Sequence, residues 1–391
     1  MNHLLAPSPY AESRTRFRVR PASLYIHIPF CASRCGYCTF TSMVYSAELA
    51  DEYLHALEKE LNTWNYFDST FFPETIFIGG GTPSVLTMAQ IERLLSFLPK
   101  TKNEFSCEIN PDSCSREKMQ LLRNGGVNRL SFGVQTFDSE GLKLLQRRHD
   151  RKQAIDAVGL AVEMGFPSVS VDLINGWPGQ TEQCLKKDIE IAINLGIHHL
   201  SSYNLVLEPS ASEYTRYCEL LGGEIADEET GKRFWYTSED LLESKGFKHY
   251  ETSNFSLPGF ECRHNVLTWR GEEYLGIGLG ACSHIAGVRW TNTDMMETYC
   301  TLSYFPDRIV AYSEKLGPEE KARECAVFWL RLFDGIDLDE FAGKTGYDFL
   351  QLYNDVLPQL IADGIVVLAD KKARVEKKFH PVLDSVLEFF I

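Results

Sequence analysis

The chain has 391 residues, 44% hydrophobic and 24% charged, which argues against a disordered or fibrous polymer and leaves room for two or three globular units. Lys and Arg number 39 against 54 Asp and Glu, a net charge of −15, which argues against generic binding to nucleic acid or an anionic membrane. The 11 cysteines, an odd number, read as reduced thiols rather than a disulfide framework, and no apolar run reaches the roughly 18 residues of a membrane span.

Residues 1–22 carry Arg14, Arg16, Arg18 and Arg20 with no apolar stretch before them, and read as a solvated tail rather than a signal peptide. SLYIHI (23–28) then alternates as a β-strand does. SAELADEYLHALEKELNTW (46–64) sets Leu49, Tyr53, Leu57 and Leu61 at helical spacing. The series continues with strand ETIFI (74–78), helix MAQIERLLSFL (88–98), strand NEFSCEINP (103–111) and helix REKMQLLRNGG (116–126). Strand NRLSFGVQ (128–135), two helical segments in 138–165, strand SVSVDLI (168–174), helix TEQCLKKDIEIAINLG (181–196) and strand HHLSSYNLVL (198–207) complete it. Six strands alternating with helices imply βαβ units and a parallel sheet, whose chemistry gathers at the carboxyl ends of the strands. The expected core spans 23–295. From 300 to 391 the order is helix, turn, helix, helix and two-strand hairpin, a small winged-helix-like α+β domain that is not basic enough to read as DNA-binding.

Cys31, Cys35 and Cys38 stand as C-x3-C-x2-C just after the first strand. Zinc takes four protein ligands in a structural site, or three plus water in a catalytic one. An iron–sulfur cubane takes thiolates, and three of them leave one iron open to a chelating ligand. The next strand ends in Gly79-Gly80-Gly81-Thr82-Pro83, where backbone can approach a ligand without side-chain obstruction. Glu108 and Asn110 end the third strand, Gln135 the fourth and Asp172 the fifth, while Arg147 follows the next helix. Together they form a polar rim suited to a charged nucleoside. Tyr25 and Tyr37 are aromatic candidates for packing against it.

The cysteine spacing resembles the radical S-adenosylmethionine (SAM) superfamily. The stretches SLYIHIPFCASRCGYC, FIGGGTPS, EINP, NRLSFGVQTFD, VDLINGWPGQT, NFSLPGFECRHN and WRGEEYLGIGLGA resemble the group of oxygen-independent coproporphyrinogen III oxidases and haem chaperones, most closely the HemW family. The resemblance implies a partial (β/α)6 barrel with the winged-helix-like domain appended. It implies a [4Fe-4S] cluster on Cys31, Cys35 and Cys38, with SAM on the open iron as the source of a 5′-deoxyadenosyl radical. SAM contacts carried over from the family fall on Tyr25, Tyr37, Gly80, Gly81, Thr82, Pro83, Glu108, Gln135, Arg147, Asp172 and Val206.

In the oxidase branch a fourth cysteine stands two residues after the third. Here that position is Phe40, as in the chaperone branch. The resemblance therefore implies a haem-delivering chaperone. The alternatives are radical decarboxylation of coproporphyrinogen III, or another radical reaction on a tetrapyrrole. Haem, haem-requiring client proteins and an electron donor such as flavodoxin or ferredoxin are the implied partners, and the cytoplasm the implied location. The family motif HNxxYW reads His264-Asn265-Val266-Leu267-Thr268-Trp269, with Thr268 replacing tyrosine, and GAHS reads GACS, with Cys282 replacing histidine. His264 and Cys282 are the candidate haem ligands.

Overall fold

A computed structural model describes residues 21–64, 72–205 and 225–391. The expected tail, residues 1–22, falls almost wholly outside these, as does Val206. The six anticipated strands form as β1 (Ser23–Ile28), β2 (Thr75–Gly80), β3 (Glu104–Ile109), β4 (Arg129–Gln135), β5 (Ser168–Asn175) and β6 (His199–Asn204). Adjacent strands pair in parallel, in sequence order. Between them run α1 (Ala47–Thr63), α2 (Met88–Phe97), α3 (Arg116–Asn124), α4 (Ser139–Leu144), α5 (Arg151–Glu163) and α6 (Glu182–Asn194). Their starts are set by side-chain caps. Ser46, Thr87, Ser115, Asp138, Asp150 and Thr181 each accept a backbone N–H of the first turn, satisfying donors that the helix itself leaves unpaired.

The sheet is larger than the sequence pattern suggested. Among the described residues twelve strands join it, because β7 (Lys248–Glu251) and β8 (Asn254–Ser256) extend it beyond β6, and β9 (Tyr274–Ile277), β10 (Cys282–Ile285), β11 (Val288–Asn292) and β12 (Val310–Lys315) extend it beyond β1. The β9 strand runs parallel to β1, whereas the outer pairs are antiparallel. Alternation then sorts the side chains. On β1, Leu24, Ile26 and Ile28 are fully buried in one apolar core with Leu54, Leu57 and Leu61 of α1, while Tyr25 and His27 take the opposite face. That opposite face carries polar groups, with Glu108 of β3, Ser131 of β4 and Ser170 of β5 in register.

The C-terminal part has its own core around Trp329, Phe341, Phe349, Tyr353 and Phe390. Helix α10 (Pro318–Trp329) precedes β13 (Ile336–Asp337), and β14 (Val366–Ala369) and β15 (Lys372–Val375) form the hairpin that pairs with β13. This is the winged-helix order, with a short strand added. Helix α9 (Met296–Leu302) and β12 pack on the large core.

Candidate functional site

At the carboxyl ends of the parallel strands a cavity of about 360 Å3 opens, and all three motif cysteines line it. The chain enters the cysteine loop from β1 through a two-residue pairing of Phe30–Cys31 with Met43–Val44, which fixes both ends of the loop. Two glycines of the triplet are sterically required. Gly80 has φ +112°, and a Cβ there would lie 2.6 Å from the His27 ring. A Cβ on Gly81 would lie 2.7 Å from the Phe30 carbonyl and 3.0 Å from Cys31 Sγ. The missing methyl groups keep open a cradle against the first thiol. His27 Nε2 lies 2.7 Å from the Thr41 carbonyl, and His27 Nδ1 accepts from the Tyr25 hydroxyl at 3.1 Å, so the far end of the loop is tied to β1 as well.

A chain of hydrogen bonds runs from the opposite wall to the thiols. Arg147 donates through Nη2 to Gly133 O (2.8 Å) and Asn110 Oδ1 (2.9 Å), and through Nη1 to Cys35 Sγ and the Tyr37 hydroxyl (3.4 Å each). Asn110 Nδ2 donates to Thr82 Oγ1 at 3.0 Å, and Thr82 Oγ1 faces Cys31 Sγ at 3.7 Å. Burial opposes the charge on Arg147, but Tyr37 and Cys35 beside it prevail and keep the guanidinium protonated. Burial pushes the Cys31 and Cys38 thiols up, partly offset at Cys31 by the Thr82 hydroxyl.

Two carboxyls lie in the same cavity. Burial, then the neighbouring Asp172, raises Glu108 to about 8, against the pull of the Gly80 N–H that it accepts at 3.1 Å. Burial also raises Asp172, which accepts from Ser131 Oγ at 3.1 Å. At neutral pH the cavity thus holds a permanent cation and, beside Asp172, a Glu108 carboxyl that a cationic ligand would draw into the ionised form.

The structure gathers Tyr37, Gly80, Gly81, Thr82, Glu108, Gln135, Arg147 and Asp172 around this cavity with the three cysteines. Gln135 reaches it because the β4–β5 register slips between Gly133 and Gln135, and Gln135 takes a left-handed φ of +71°. Tyr25 and Pro83 are not on its wall. Tyr25 lies a level deeper, against Phe77 and His27, and burial raises its hydroxyl pKa. Pro83 is buried at the start of a 3-10 turn. His264, in helix α8 (Arg263–Trp269), lies at the other end of the sheet, hydrogen-bonded through Nδ1 to Thr75 Oγ1 at 2.9 Å and 8% exposed. Thr75 opens β2 while Gly80 closes it, so His264, against Thr75 and Phe77, sits below the cavity towards the amino end of the strand. Cys282 is exposed on β10, its Sγ 3.1 Å from Thr291 Oγ1. Sequence reasoning missed His27, Tyr203, Gln146 and Arg148. For His27 a signal existed, since alternation from Tyr25 puts it on the same face. Gln146 and Arg148 carry none, because their roles depend on a turn.

Among the described residues, no three His, Cys, Asp or Glu side chains converge tightly enough to hold a single metal ion. A cubane spreads its thiolates over separate irons, and the three cysteines line one cavity beside the space that Gly81 keeps clear at Cys31.

The family model described as the radical SAM superfamily matches residues 25–192, and that described as the HemN C-terminal domain matches residues 316–378. The chain is 33% identical over 377 residues to the heme chaperone HemW of Lactococcus lactis, covering 95% of this chain and 98% of that one. It is 36% identical to HemW of Bacillus subtilis (88% and 92% covered) and 32% identical to HemW of Escherichia coli (96% and 99%). In fold it matches the coproporphyrinogen III oxidase HemN of Escherichia coli with a TM-score of 0.84 at 24% identity, over 99% of this chain and 93% of that one. With the radical SAM core, the C-terminal unit and this end-to-end agreement in place, the chain belongs to the HemW family within the radical SAM superfamily.

Proposed function

We propose that this protein carries haem to haem-requiring client proteins, using a [4Fe-4S] cluster and SAM as cofactors. The observation that carries the reading is the agreement with relatives named heme chaperones over 95% of the chain, C-terminal unit included. Cys31, Cys35 and Cys38 are the cluster ligands in this proposal. The position that would supply a fourth thiol is Phe40, 62% exposed at the cavity mouth. A reduced cluster held by these three thiolates would supply one electron to the sulfonium of SAM. The chain's own residues do the positioning. Gly80, Gly81 and Thr82 hold open the space beside Cys31, Arg147 offsets thiolate charge, and Glu108 and Asp172 receive the cationic ligand.

For haem, Cys282 is the better placed candidate, since it stands exposed while the ring of His264 is closed in by Thr75 and Phe77. An electron donor of the flavodoxin or ferredoxin type and a cytoplasmic location complete the proposal, and no helix among the described residues is long and apolar enough to cross a membrane. The test is anaerobic. Titrating reconstituted protein with haemin should give a saturable Soret change, and incubation with coproporphyrinogen III and SAM should give no protoporphyrinogen. Vinyl-bearing product would overturn the chaperone reading in favour of the oxidase.

A further inference from the structure

Helix α4 ends in a Schellman turn. Arg147 N donates to Leu142 O (2.8 Å) and Gln146 N to Lys143 O (3.0 Å), which places residue 146 in the left-handed region, at φ +53°. Glycine is the residue that takes this position without steric cost, and a glutamine there is strained. Its side chain is also committed. Gln146 Oε1 accepts from the backbone N–H of Gly36, the residue after Cys35, at 3.1 Å, and the Gln146 carbonyl faces Cys35 Sγ at 3.9 Å. The next two residues bind the same loop. Arg147 donates to Cys35 Sγ and the Tyr37 hydroxyl, and Arg148 Nη1 lies 3.4 Å from the Ala32 carbonyl. Three consecutive side chains from one turn thus contact the loop at residues 32, 35, 36 and 37.

We propose that Gln146–Arg147–Arg148 is a latch that holds the cysteine loop in its ligating shape before the cluster arrives, with Gln146 as its positioning residue. The inference rests on the reading of Cys31, Cys35 and Cys38 as cluster ligands. A loop fixed at its middle by one amide-to-carbonyl bond loses less conformational freedom when metal binds, so the cluster is retained longer. The strain at residue 146 is tolerated because its side chain does this work.

Gln146→Gly separates the two roles, since glycine relieves the backbone and removes the latch. In metal-free protein, Gln146→Gly and Gln146→Ala should each speed hydrogen exchange of the Gly36 amide roughly three- to tenfold, the range of one net hydrogen bond. Anaerobic cluster-loaded protein challenged with EDTA should lose iron faster by a similar factor. Gln146→Glu, whose carboxylate still accepts from Gly36, should restore both. The thermal midpoint of metal-free Gln146→Gly should stay within about 2 °C of the parent. Unchanged exchange or unchanged iron loss in Gln146→Gly overturns the latch, as does a fall in midpoint that matches the loss of iron. The exchange measurement needs no metal. Parent protein that takes up no iron would therefore sink the cluster assignment while the exchange data still decide whether residue 146 holds the loop.

Discussion

Glu60 offers the most quantitative test of how the scaffold supports the site. It is a carboxyl in α1, 1% exposed, accepting from Gly278 N (2.9 Å), Asn292 Nδ2 (2.8 Å) and the Tyr299 hydroxyl. These bonds fix the turn 278–281, where a Cβ on Gly280 would lie 2.9 Å from Thr41 Oγ1, at the far end of the cysteine loop. Burial, only partly offset by the bonds from Tyr299, Gly278 and Asn292, raises the carboxyl from 4.5 to about 7. An acid raised in the folded state stabilises most at low pH, and its contribution falls as pH climbs from 4.5 through 7. The whole shift corresponds to about 3 kcal/mol. Glu60→Gln cannot titrate, and its amide N–H2 meets donors on every side, a pH-independent penalty of about 1–3 kcal/mol. Urea unfolding of both metal-free proteins from pH 4.5 to 8 should show the variant clearly weaker in acid, with the gap closing by about 2–3 kcal/mol towards pH 8. Taking the difference cancels other buried acids that titrate in both proteins, such as Asp188 near 6, Glu251 near 7 and Glu108 near 8. A gap that stays constant across the range would refute the claim that Glu60 is held protonated in the fold.

Replacing Cys31, Cys35 and Cys38 together by alanine should abolish bound iron and the brown absorbance, measured by iron assay and ultraviolet–visible spectra. Arg147→Lys keeps the charge but loses the fork whose Nη2 holds Gly133 O and Asn110 Oδ1 while its Nη1 holds Cys35 Sγ and the Tyr37 hydroxyl, so SAM affinity by calorimetry should fall at least tenfold and stability by about 1–3 kcal/mol. Gly80→Ala drives a methyl into the His27 ring from a left-handed backbone, and should lower the unfolding free energy by about 2 kcal/mol or more in denaturant titrations. Cys282→Ser should weaken haem binding and alter the Soret band while His264→Ala leaves both intact, and the reverse result would put the iron ligand on His264.

The site was legible wherever strand periodicity and a motif coincide. The β1 alternation announces its buried Leu24-Ile26-Ile28 face, and C-x3-C-x2-C directly follows it, so the position of the thiols at a carboxyl end needed no coordinates. The antiparallel extension was not legible. YLGI, CSHI and VRWTN are short, and YLGI is interrupted by a glycine whose N–H and C=O both bond Ser283 Oγ, so pairing there depends on a side chain from the next strand. Tyr25 and His264 show a different limit. Tyr25 lies on the inward face of β1 and His264 on helix α8 against Thr75 and Phe77 of β2, but depth along the strand is a three-dimensional coordinate that pattern leaves undetermined.

The two grips on the cysteine loop differ in chemistry. At its outer end His27 holds the Thr41 carbonyl and Gly280 packs on Thr41, a clasp that depends on the buried Glu60 and Tyr53 beneath it. Between the cysteines the loop is held by Gln146 and Arg147 through an amide and a guanidinium. An amide does not titrate and a guanidinium stays charged, so this second grip is indifferent to the pH at which Glu60 ionises. Raising the pH through 7, where Glu60 ionises, should therefore loosen the Thr41 end while leaving the grip at Cys35 and Gly36 intact. Retention of a cluster in parent protein should then vary less with pH than global stability does, because the ligating segment and the scaffold answer to different groups.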